Sequence, residues 1–123
     1  MKKKIPHEEL LLKISSTAYC FKELEYYGSK EKALKALLKR KGFEGYSTHT
    51  ATNQFEQALK VITDTREFVD AELPDRTLAH MAREEIDLFM CRLKEALSRK
   101  NPRAPKEMLQ YALNWIYMNY YLR

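Results

Sequence analysis

The chain has 123 residues, 45% apolar and 32% charged, with 3 Gly, 4 Pro, 2 Cys and a net charge of +5. One Trp, 8 Tyr and 5 Phe exclude a disordered chain. The scarcity of Gly and Pro excludes collagen-like, low-complexity and turn-rich β architectures. What remains is an all-α protein, a compact antiparallel bundle of about five helices, with residues 1–123 forming a single domain.

The first helix is expected from about Pro6 to Tyr27, with Gly28 as its left-handed stop and Leu10, Ile14, Thr17, Phe21 and Leu24 on its inner face. Ser29 caps a second helix that stops at Gly42, with an apolar stripe of Ala33, Leu34, Leu37 and Leu38 on an otherwise lysine-rich surface. The third begins among Ser47, Thr48 and Thr50 and runs to about Glu72, facing inward through Phe55, Ala58, Leu59, Ile62 and Val69. Pro74 ends that segment. The fourth helix is expected from about Arg76 to Arg99, with Leu78, Met81, Ala82, Phe89, Leu93, Ala96 and Leu97 inward, and Pro105 opens a fifth that continues to the C-terminus.

Met1 to Lys4 could start a signal peptide, but His7, Glu8 and Glu9 interrupt the apolar stretch that should follow. The longest uncharged run, residues 108–122, is too short for a membrane span. Cys20 and Cys91 stand far apart among apolar neighbours, which fits two free, mostly buried thiols in a reducing cytoplasm, with a bridge between the first and fourth helices as the alternative. No cofactor motif occurs. There is no P-loop, no glycine-rich dinucleotide turn and no nucleophile elbow. The pairs His7 with Glu8 or Glu9, and His80 with Glu84, are too few for a closed metal site, so no metal is expected.

Charge is segregated. Residues 28–46 hold six Lys/Arg and two Glu, net +4, and residues 92–106 hold six Lys/Arg and one Glu, net +5. Residues 47–91 hold four Lys/Arg and nine Asp/Glu, net −5. Lys35, Lys39, Arg40 and Lys41 with Arg99, Lys100 and Arg103 would neutralise several phosphates if the fold joined them, with Tyr46 available to stack on a base. The same residues also serve as the solvated face of amphipathic helices, placed favourably near helix C-termini. A helix-turn-helix built on the second and third helices is disfavoured, because the would-be recognition helix turns acidic at Glu56, Asp64, Glu67 and Asp70.

The last helix is apolar all round. Leu109, Ala112, Leu113, Ile116 and Tyr120 suffice to dock it, while Tyr111, Trp115, Met118 and Leu122 line the opposite side, with Tyr121 beside them. Either this helix is central to the bundle, or its second face is covered by a protein partner or a second copy, through residue types enriched at interfaces. The leading expectation is therefore a small cytoplasmic interaction protein, an adaptor, regulator or complex subunit, anchored by Trp115. The alternative is a nucleic-acid-binding accessory factor.

Arg76 and His80 share one helix face. The pair resembles the Arg-x(4–6)-His motif of the helical HEPN ribonucleases, with a gap of three residues here. The resemblance covers two residues and implies an RNA-cleaving role in which His80 acts on a ribose hydroxyl and Arg76 on phosphate. The rest of the sequence points to binding rather than catalysis.

If the basic segments hold nucleic acid, charge reversal at Lys39, Arg40 and Arg103 abolishes binding in a fluorescence-anisotropy titration of labelled oligonucleotides while helicity stays constant. A wild-type protein that binds no oligonucleotide even at low salt makes these residues a solvated face.

Overall fold

A computed structural model describes residues 7–40, 42–43, 45–73 and 81–121. Helices α1 (His7–Leu24), α2 (Lys30–Leu38), α3 (Thr48–Glu72), α4 (Arg83–Lys100) and α5 (Lys106–Ile116) follow in chain order, and a π-helical turn, Tyr117–Tyr121, extends α5. The protein is an all-α helical bundle.

Two starts lie where side-chain chemistry puts them. Ser29 is extended and its hydroxyl accepts the Lys32 N–H at 3.2 Å, and Ser47 likewise accepts the Thr50 N–H at 3.0 Å. Two other boundaries move. α1 ends at Leu24, short of Gly28, because Glu25 and Tyr27 adopt left-handed backbone at φ 57 and 73, and the Tyr26 N–H turns back to the Cys20 carbonyl at 3.0 Å. α4 starts at Arg83, not Arg76. Its first turn is fixed by Glu85, whose carboxylate accepts the Ala82 N–H at 3.3 Å, and by Glu84 at the positive helix end. Ala82 is accordingly exposed, and Ile86 takes the inward position. Residues 74–80 lie outside the described residues, so the expected inward position of Leu78 does too.

α3 touches all four other helices. α5 touches α1, α3 and α4, while α2 touches only α1 and α3. The central helix is therefore α3, and α5 is enclosed on three sides with its outer side open. A single buried cluster joins Ile14 of α1, Leu37 of α2, Phe55 and Ile62 of α3, Leu93 and Leu97 of α4, and Met108 and Ile116 of α5. α3 and α4 run antiparallel. Phe68 packs on Phe89 at 5.6 Å and Arg92 pairs with Glu72 at 3.0 Å near one end, and Lys60 reaches the Lys100 carbonyl at 2.8 Å near the other.

Asn101, 3% exposed, knots that second end. Its side-chain oxygen accepts from Gln57 at 2.9 Å and Lys60 at 3.0 Å, and its amide donates to Asp64 at 3.0 Å and to the Leu97 carbonyl at 3.1 Å. Lys60 also binds Asp64 and thereby brings a cation to the negative end of α4. Asn101→Ala removes every partner of this amide at once and is expected to cost about 1–3 kcal/mol in chemical denaturation, since buried polar groups are left unpaired. An unchanged midpoint would make the knot ornamental.

Candidate functional site

The site is built around α5. Trp115 is 6% exposed. The Tyr19 ring meets it edge-on at 5.0 Å, and the Arg66 guanidinium lies 5.3 Å from its ring centre. Arg66 is itself held by the Glu23 carboxylate, with Nε donating at 3.1 Å, and by Asp70 at 3.7 Å. Trp115 thus belongs to the core at the junction of α1, α3 and α5, and it is not the partner-facing anchor expected from the sequence. The physical reason is the wrapping of α5 by three helices, which buries Met108, Ala112, Leu113, Trp115 and Ile116, more of the circumference than one docking stripe covers.

The other expected interface residues separate. Tyr111 is half-buried, its ring 6.2 Å from Tyr19. Met118 is 59% exposed. Leu122 and the side chains of Tyr120 and Tyr121 lie outside the described residues. What faces outward is a ridge of Gln110, Asn114, Tyr117 and Met118. A shallow groove flanks it on each side. One, about 260 Å³, lies against α1 and is lined by Tyr19, Tyr111, Trp115, Met118 and the amides of Asn114 and Asn119. The other, about 250 Å³, lies against α4 and is lined by Met90, Cys91, Lys94, Leu113 and Tyr117 among others. Tyr117 was not singled out beforehand. The π-helical turn that begins there, with the Asn119 amide donating to the Trp115 carbonyl at 2.8 Å, departs from the spacing that assigned the faces.

The basic residues do not form one patch. Lys35, Lys39 and Arg40 on and after α2, and Arg99, Lys100 and Arg103 at and after the end of α4, are exposed, but α2 and α4 do not touch. The exposed side of α3 carries Glu56 and Glu67, and Glu56 pairs with Lys30. Arg40 donates to Thr17 at 3.3 Å, fastening the end of α2 to α1. Tyr46 is no open stacking platform. It packs edge-on to Phe43 at 5.2 Å and donates its hydroxyl proton to Gln54 at 3.1 Å. Lys41, Arg76 and His80 lie outside the described residues. Among the described residues, no group of three His, Cys, Asp or Glu is placed to hold a metal ion. No helix among them is long and apolar enough to cross a membrane.

No known protein family, curated protein or solved structure matches the chain.

Burial pushes the phenols of Tyr19 and Tyr111 above their ordinary 10.0, with the Glu23 carboxylate adding to the effect at Tyr19, while hydrogen bonds with Asn119 and Ser16 oppose it. The folded state therefore keeps protons that the unfolded chain releases near pH 10, so stability is full below that pH and falls as pH rises through it. Denaturation curves from about pH 9 to about pH 11 are expected to show this fall, and a Tyr19→Phe/Tyr111→Phe variant is expected to show a shallower one. Equal slopes in the two proteins would mean the phenols ionise alike folded and unfolded.

Proposed function

We propose that this protein is a helical interaction module, an adaptor, regulator or complex subunit, that engages a protein partner through the outer ridge of α5. The observation that carries this reading is Met118, 59% exposed beside Tyr117, on a helix whose other sides are packed and whose exposed ridge runs between two largely apolar grooves. A soluble domain gains nothing by leaving a flexible thioether and an aromatic ring on such a ridge, and both residue types are enriched where proteins meet. The grooves would receive side chains of the partner, and the amides of Gln110, Asn114 and Asn119 would supply directional hydrogen bonds at their rims. Trp115, pinned by Arg66 and Tyr19, acts as a rigid support beneath the ridge and lowers the ordering cost of association.

Phosphate binding has weaker support. The two basic segments stand on either side of α3, and Glu56 and Glu67 occupy the surface a continuous phosphate track would need.

The test is site-specific photo-crosslinking in cells, with benzoylphenylalanine introduced at position 118, or at 39 or 67 as controls. A discrete adduct at 118 that is missing at 39 and 67 is expected. Adducts at all three positions, or none at 118, would remove the α5 ridge as the docking surface.

A further inference from the structure

A second surface lies along the outer side of α4, adjoining the α5 ridge only at Cys91 and Lys94, and we infer that it pairs with the same surface of a second copy of this chain in an antiparallel arrangement. Along the outer side of α4, Glu84, Leu88, Cys91, Glu95 and Ser98 recur at alternating spacings of four and three, the spacing of a helix–helix seam. All five are exposed, and Leu88, at the apolar centre, is 62% exposed. Charge says what covers this seam. The N-terminal half of α4 carries Glu84, Glu85 and Asp87, and the C-terminal half carries Lys94, Arg99 and Lys100, with Arg83 and Glu95 as exceptions. Arg92 is already taken by Glu72. A parallel copy would set acid on acid and base on base. An antiparallel copy sets each half against its opposite and also opposes the two helix dipoles.

Two features give the same register. A depression of about 540 Å³ runs along α4 between Cys91 and Arg99, bordered by Lys94, Glu95 and Ser98. With Leu88 of one copy seated there beside Lys94 and Glu95 of the other, Glu84 comes opposite Ser98 and Arg99, and Cys91 lies at the twofold axis. Twofold symmetry makes every such contact twice. Asp87 then approaches Glu95 of the second copy, and Arg83 approaches Arg99 and Lys100, like-charge costs moderated by the adjacent Lys94 and Glu84. A single helix pair of 18 residues per copy is a small interface, so the pairing belongs to the weak, reversible class, with a dissociation constant on the order of 100 µM.

Sedimentation velocity of the full chain across that concentration range tests this. The wild type is expected to shift reversibly from monomer towards dimer. Leu88→Asp is expected to weaken association by about tenfold or more, and Glu84→Arg and Arg99→Glu each by about tenfold. The combined Glu84→Arg/Arg99→Glu variant, which restores opposite charges across the axis, is expected to regain it. In a Cys20→Ser background, a short bis-maleimide is expected to link two chains through Cys91. Glu84, Leu88 and Arg99 are exposed and Cys20 is half-buried, and circular dichroism verifies the folding of each variant. A wild type that stays monomeric at about 500 µM, association indifferent to Leu88→Asp, or a double charge swap no better than either single change would each overturn the pairing. Cys91 and Lys94 also border the groove between α4 and α5, but the crosslinking position, Met118, borders the groove against α1, so its adducts report the ridge separately.

Discussion

The structure depends on the need of α3 to be covered by every other helix. Ala51, Phe55, Ala58, Val61, Ile62, Thr65 and Val69 are all buried, a band too wide for one neighbour. Even Thr65 is fully enclosed, its hydroxyl satisfied by the Val61 carbonyl at 2.7 Å. α1, α5 and α4 wrap successive sides of this helix, and α2 covers part of what is left. The side that remains open carries polar residues, Asn53, Glu56, Lys60 and Glu67. The arrangement fixes α5 between α1 and α4, and so decides which of its residues meet solvent.

Helix identity was legible because apolar residues repeat at the helical period and because Ser29, Ser47 and the region before Lys106 carry unambiguous boundary chemistry. Periodicity did not reveal which helix would be central. Only the last helix looks apolar all round, and only the contacts show that α3 is ringed while α5 keeps one side open. Trp115 was misplaced for that reason. Its depth follows from the wrapping of α5 by α1, α3 and α4, and nothing in the sequence pairs Arg66, mid-helix on α3, with an indole about fifty residues later. Asn101 was hidden similarly, as a small polar residue in a basic loop before Pro102. Its one local sign was its place at the end of a helix, where carbonyls need partners.

The two proposed surfaces use different physics. The α5 ridge offers flexible apolar groups on a rigid support, suited to a partner with complementary side chains. The α4 seam offers modest apolar area and a strong charge pattern that reads itself in reverse. The segregation of charge along the chain, basic before and after an acidic middle, thus need not signal phosphate. Within α4 it becomes a head-to-tail polarity, and between α2 and α3 it closes the Lys30–Glu56 pair.

α2 stands apart in this architecture. It buries only Ala33 and Leu37, touches two of the four other helices, and follows a turn in which Glu25 and Tyr27 hold left-handed backbone that only glycine adopts freely. The remaining four helices supply most of the shared core around α3, to which α2 adds Ala33 and Leu37. α2 is therefore the element expected to open first. Its amides are expected to exchange with solvent through a local excursion of low free energy, and those of α3 only on global unfolding. The molecule carries its most basic helix on its most easily released element.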